Sequence, residues 1–155
     1  MILSELFRKK KNYLGTVVDL KERYRLSAES AYDGIPVVYY DILRHEDQEK
    51  VGTIDLRLTA EGDMYYYGNI GYNISRMYRG HGYAYEACLV LFEVARKEFG
   101  MKELIITCSP DNIASYKTLK KLGGELLELV EVPHDHMLYS IGETSKYIFR
   151  YRIGL

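Results

Sequence analysis

The stretch IGYNISRMYRGHGYAYEACLVLFEVARKEFGMKELIITC, residues 70–108, decides the fold, because its apolar period changes twice. Ile70, Tyr72 and Ile74 alternate with Gly71 and Asn73, the spacing of a strand. From Ala84 the apolar positions Ala84, Cys88, Leu91, Ala95 and Phe99 step by three and four, Glu86, Glu93 and Lys97 mark the opposite face, and Gly100 stands where a helix ends. ELIITC, residues 103–108, follows as an unbroken apolar run, which predicts a strand covered on both faces and paired in parallel after a helical crossover. Strand, helix and strand make a βαβ unit.

Outward from this unit the chain predicts mostly antiparallel strands. PVVYYDIL (36–43) and VGTIDLRL (51–58) form a hairpin across the polar HEDQEK, with Ile54, Leu56 and Leu58 buried against Asp55 and Arg57 outside. MYYYGNIGYNI (64–74) is a third strand, in which Gly71 marks a bulge or a place where another backbone or a ligand comes close. Downstream, Ile113, Tyr116, Leu119 and Leu122 repeat along a short helix stopped by Gly123-Gly124, and GELLELVEV and KYIFRYRI are two further strands. In the last, Tyr147, Phe149, Tyr151 and Ile153 alternate with Lys146, Ile148, Arg150 and Arg152. Residues 1–33 show only a basic run at Arg8–Lys11 and a short strand around Leu14–Leu20. The class is α/β in the α+β sense, a mixed, mostly antiparallel sheet around a central βαβ unit, in one domain over residues 1–155.

The 155 residues carry 21 Lys+Arg and 22 Asp+Glu, so a globally basic nucleic-acid binder is disfavoured. Apolar runs fall short of a bilayer span, and MILSELFRKKK inverts the order of a signal peptide; the expectation is a cytoplasmic protein with no membrane partner. Cys88 and Cys108 lie in apolar stretches and read as small buried hydrophobes. His134 and His136 lack a third nearby ligand and read as a solvated loop, so no metal is expected. Sixteen tyrosines against four phenylalanines favour surfaces with an apolar side and a hydrogen-bonding edge.

The chemistry concentrates at Arg79-Gly80-His81-Gly82-Tyr83-Ala84, where strand gives way to helix. Unpaired N–H groups and the positive end of the helix dipole face this loop, two glycines let an anion approach the main chain, and Arg79 adds charge. A diphosphate is a sensible guest, although a short Gly-x-Gly also suits a plain tight turn.

The same residues resemble the [RQ]-x-x-G-x-[GA] acetyl-CoA loop of the GNAT superfamily of acyl-CoA N-acyltransferases, with Arg79, Gly82 and Ala84 at the defining positions. Asn112-Ile-Ala-Ser115 leading to Lys121-Leu-Gly123-Gly124 resembles that family's N-x-x-[AS]…K-x-G segment. The resemblance covers residues 64–131 and is nearest the ribosomal-protein-alanine-acetyltransferase-like branch of small acetyltransferases. The N-terminal third looks shorter than the family's pair of acceptor-side helices.

The resemblance implies an acetyl-CoA-dependent N-acetyltransferase in which a neutral primary amine of a small molecule, peptide N-terminus or lysine attacks the thioester directly. The N–H groups of Gly80, His81, Gly82, Tyr83 and Ala84 would hold the diphosphate. The strand ending at Ile74 would pair with pantetheine and supply an N–H to the oxyanion. Asn112 would bond pantetheine, while as a residue it equally suits a helix N-cap. The tyrosine that the family places seven residues after this asparagine is here Leu119, so Ser115 or Tyr116, on or near the same helical face, would supply the proton to the thiolate. Asp41, Asp55, His134, Asp135, His136 and Glu143 are candidate bases, and Tyr65, Tyr66 and Tyr67 line either an acceptor wall or an exposed strand. Rival readings are a non-catalytic acyl-CoA-binding sensor module and a single-strand nucleic-acid binder using sheet tyrosines. The alternating face of the last strand completes the sheet or pairs two subunits as a homodimer.

Overall fold

In a computed structural model, residues 8–31 and 34–154 are described; the apolar N-terminal stub lies outside them. Five antiparallel strands form a meander in sequence order: β1 (Asn12–Tyr13), β2 (Val18–Leu26), β3 (Val37–Arg44), β4 (Lys50–Arg57) and β5 (Ile70–Ile74). Helix α1 (Tyr83–Phe99) leads to β6 (Glu103–Cys108), helix α2 (Ile113–Lys121), β7 (Glu125–Glu131), the short helix α3 (Met137–Ser140) and β8 (Ser145–Arg152). The last three strands form a second antiparallel sheet, with β8 between β6 and β7.

The inner face of the first sheet buries Leu20, Tyr40, Ile42, Ile54 and Leu56 completely or nearly so. Against it α1 turns Ala87, Cys88, Leu91, Val94 and Ala95, the stripe that its three-and-four spacing demands. Each large aliphatic side chain buried here contributes about 2 kcal/mol of transfer free energy. The hairpin is as expected, with Tyr40 opposite Ile54 and Val38 opposite Leu56. Gly100 closes α1 in the left-handed conformation, its N–H bonded to Ala95 O.

Five local expectations are corrected. The third strand begins at Ile70, not Met64: Gly62–Tyr65 is a 3-10 turn, and Gly68 N–H folds back onto Met64 O. At Gly71 the β4–β5 register runs without a bulge; a Cβ there would meet Arg57 and Asp55 side chains, so side chains of the neighbouring strand make the close approach. ELIITC is not paired in parallel; its ladder partner is β8, antiparallel, and Leu104, Ile106 and Cys108 are buried while Ile105 and Thr107 are only half so. The early strand is displaced into β1 and β2 around an exposed Leu14, because β2 takes its register from β3. In β8, Lys146 and Ile148 are buried alongside Phe149 and Tyr151, while Arg150 is half-buried and Arg152 exposed, so the expected alternation fails only in the first half of the strand, where Lys146 is covered and paired with Glu143.

Candidate functional site

A groove of about 390 Å³ runs between the free edge of β5, the start of α1 and the first turns of α2. Its edge can be derived from the ladder. Ser75 N–H donates to Val51 O and Arg57 N–H donates to Asn69 O, so the odd-numbered residues of β5 bond to β4 and Tyr72 and Ile74 point their N–H and C=O groups outward. Arg79 Nε takes up the Ile74 carbonyl at 2.9 Å, which pins the guanidinium at the mouth of the groove and leaves the Ile74 N–H for a ligand.

At the other wall, α1 begins at Tyr83 with Gly82 as its N-cap in the left-handed region (φ 74°), and no side chain caps it. Gly80 is also left-handed (φ 85°), and a Cβ built on either glycine meets no atom within 4 Å. The loop therefore offers uncapped N–H groups, the positive helix end and an open approach, the requirements for a diphosphate.

On α2, Asn112 is the N-cap: its Oδ1 accepts from Ser115 N at 3.1 Å while the residue also lines the groove, so the capping role holds and the position still faces the groove. Ser115 is nearly buried, and its Oγ lies 2.6 Å from the hydroxyl of Tyr72. Burial pushes the Tyr72 phenol up to about 12, with the hydrogen bonds of Ser115 and Thr118 working the other way.

Ile74, Arg79, Gly80, Gly82, Tyr83, Ala84, Asn112 and Ser115 are thus brought together by chain segments more than 25 residues apart. His81 and Tyr116 are not among the lining residues. His81 is exposed with its ring 5.5 Å from that of Tyr83. Tyr116 turns onto Tyr147 and Phe149 of the second sheet, at 5.0 and 5.8 Å, where its spacing along α2 serves the core. Sequence reasoning missed Tyr72 and Thr118. Tyr72 was hidden by sharing the inward face of a strand with two isoleucines, and its phenol was the available signal.

Leu119 is wholly buried, and its carbonyl accepts from the Tyr151 hydroxyl at 2.6 Å. Cys88 is sealed in the core, where burial pushes its thiol up to about 12; burial also raises Cys108, with Lys146 opposing.

The candidate bases scatter. Asp41 is paired with Lys50 (3.0 Å) and Arg23 (3.4 Å) on the outer face of the first sheet. Asp55 lies on that face beside Arg57, across the β5 backbone from Tyr72, and burial raises its pKa against the pull of the guanidinium. Glu143 lines a second, polar cleft that meets the groove at Asn112; burial would raise its pKa, but hydrogen bonds from Lys146 and Ser109 outweigh it and hold it below the usual range. Asp135 lies in a third cleft with Arg57, Asp63 and Tyr67. His134 packs on Tyr139. His136 is not in a solvated loop. It caps α3, Nδ1 accepting from Leu138 N at 3.0 Å, so its hydrogen sits on Nε2 and goes to Asp63 O at 2.9 Å. With both nitrogens used, it is a buried strut. Of the three tyrosines, Tyr66 and Tyr67 pack on that imidazole, and Tyr65 donates to Glu128.

Among the described residues no helix is long and apolar enough to cross a membrane.

The model of the acetyltransferase (GNAT) domain matches residues 9–125, well over half of the chain. The uncharacterized N-acetyltransferase YnaD of Bacillus subtilis (strain 168) is 41% identical over 54 residues, 35% of this chain and 32% of that protein. Solved structures of several acetyltransferases share the fold. The ribosomal-protein-S5-alanine acetyltransferase of Vibrio fischeri has a TM-score of 0.59 at 19% identity, over 75% of this chain and 61% of that one. The microcin C7 self-immunity acetyltransferase MccE, solved with acetyl-CoA and AMP, has a TM-score of 0.58 at 17% identity, with the same coverage. The chain therefore spans about a third of its curated relative and less than two thirds of either structure. With the domain model covering the meander, the Arg79–Ala84 loop, α1 and α2, this chain belongs to the GNAT acetyltransferase family.

Proposed function

We propose that this protein transfers an acetyl group from acetyl-CoA to a primary amine, on a small molecule or at a peptide N-terminus or lysine. The observation that carries this reading is the convergence of an uncapped helix N-terminus, a free strand edge and a hydroxyl pair on one groove. The diphosphate lies on the N–H groups of residues 80–84 beside Arg79, and pantetheine runs along β5 past Asn112. An outward N–H of β5 near Ile74 stabilises the oxyanion as the amine adds to the thioester. Nitrogen bonds to the acetyl carbon, the carbon–sulfur bond breaks, and the proton lost by nitrogen balances the one gained by sulfur. Ser115, at the groove wall, donates to the departing sulfur. The two free, buried thiols suit the reducing cytoplasm as its compartment.

Calorimetric titration with acetyl-CoA and CoA, followed by thiol release across polyamines, aminoglycosides, amino acids and short peptides, tests this. Binding with amine-dependent thiol release is the expected result. Binding without release by any amine replaces the enzyme with an acyl-CoA sensor, the reading that Leu119 favours by offering no proton. Absence of binding removes both.

A further inference from the structure

Tyr72 comes from β5 and Ser115 from the first turn of α2, yet their hydroxyl oxygens are 2.6 Å apart and both line the groove. We propose that Tyr72 is a positioning residue for acetyl transfer: its phenol donates to Ser115 Oγ and so leaves the hydrogen of Ser115 to bond the sulfur leaving the thioester. This rests on the acetyl-transfer reading above and adds a role that neither residue has alone.

The hydrogen count carries the argument. Each hydroxyl owns one hydrogen, a single hydrogen lies between the pair, and the other must find an acceptor elsewhere. Either oxygen is close enough to donate, and the direction from Tyr72 to Ser115 is the favoured one, because a phenol is the stronger donor and, with its lone pair shared with the ring, the poorer acceptor. Of the other groove hydroxyls nearby, Thr118 lies beside the Tyr72 phenol but sends its hydrogen to Ala114 O at 3.1 Å, and Tyr78 donates to Glu49 at 3.0 Å. Ser115 is then the hydroxyl on the α2 wall with a hydrogen left for a ligand.

Tyr72 acts through Ser115 without giving up its own proton. With its phenol near 12 and a thiol near about 8.5, transfer from Tyr72 to a thiolate is unfavourable by more than about a thousandfold. The reaction balances without it, since the amine loses the proton that CoA gains. Tyr72 supplies direction and polarisation, as a donor stacked behind a donor.

The test compares wild type, Tyr72→Phe, Ser115→Ala and the double variant in thiol release, with acetyl-CoA and with its oxygen-ester analogue as donors and spermidine, lysine and an alanyl tripeptide as acceptors. CoA binding by calorimetry monitors the groove in each variant. Tyr72→Phe is expected to lower kcat about tenfold with KM for acetyl-CoA within about twofold. It should lose more with the oxygen ester, whose alkoxide depends more on the hydrogen bond. In the Ser115→Ala background it should add almost nothing. Unchanged kcat, equal losses for both donors, or additive losses in the double variant overturn the proposal. Failure of the wild type to transfer acetyl to any acceptor sinks the acetyl-transfer reading itself, whereas wild-type turnover indifferent to Tyr72→Phe removes only the role of Tyr72.

Discussion

Asn69 holds Ile105 at both ends: its N–H donates to Ile105 O at 2.7 Å, and Ile105 N–H donates to Asn69 Oδ1 at 2.8 Å. One residue supplies both halves of a ladder rung, half from its main chain and half from its side chain, and its Nδ2 also donates to Arg57 O at 2.9 Å. Beside the lone bridge of Gly68 to Ile106, this clasp joins the two sheets where β5 and β6 approach. The free β5 edge beyond it is what the groove is built on.

Asn69→Leu should therefore be costly. It strands the Ile105 N–H and the Arg57 carbonyl, a penalty of about 2–4 kcal/mol. Urea unfolding should show a lower midpoint, and the residual folded protein should bind acetyl-CoA more weakly as β5 loses its anchor. A variant as stable as wild type would mean that the sheets are joined by packing alone.

Gly82→Val should cost about tenfold or more in acetyl-CoA affinity, measured by calorimetry. The left-handed conformation at Gly82 strains a β-branched residue by about 1–2 kcal/mol, and although no atom of the protein blocks a Cβ there, the new side chain would stand over the N–H groups of the first turn. Gly82→Ala should lie between the two. Equal affinities across the three proteins would dissociate this loop from the ligand.

Leu119→Tyr should not create a better enzyme. The side chain is fully buried in the core, and forcing a phenol into it costs about 1–3 kcal/mol. Thermal unfolding should register the loss while kcat fails to rise; an increase in kcat would show that the wild type lacks a proton donor at this place.

Acid should destabilise the protein through Glu22, whose side chain is sealed from solvent between Arg8 and Arg25. Burial raises its pKa, but the hydrogen bonds from both guanidinia outweigh it and the net shift is downward from 4.5. A carboxylate with a depressed folded pKa stabilises fully above the unfolded value and loses that contribution as pH falls through the folded one. Melting temperatures should hold above about pH 5 and drop below about pH 4. Glu22→Gln should be less stable at pH 7 and show a shallower acid limb; a parallel limb would assign the acid sensitivity elsewhere, Asp19 being the next buried carboxylate.

The helix, the hairpin and the glycine loop were legible because each is set by local physics. The three-and-four spacing of Ala87, Cys88, Leu91 and Ala95 fits one packed stripe, Gly100 fits a left-handed stop, and Gly80 and Gly82 fit a loop facing a helix N-terminus. Leu104–Cys108 and Lys146–Arg152 were harder, because neither the continuous apolar run of the first nor the alternation of the second names the strand's neighbour. The position of β8 between β6 and β7 depends on strands some 40 and 20 residues away.

By itself, then, the sequence determined the long helix α1, the hairpin of β3 and β4, the glycine loop from Arg79 to Ala84 and an asparagine at Asn112 suited to a cap, since these depend on residues within a turn or two of one another. Only the tertiary structure decided that Tyr72 meets Ser115, that Tyr116 belongs to the core, and that His136 is a strut whose two nitrogens are already bonded. Those roles arise where β5, α2 and the segment before β8 converge, and a side chain's partner across that distance is chosen by packing, which no local period records.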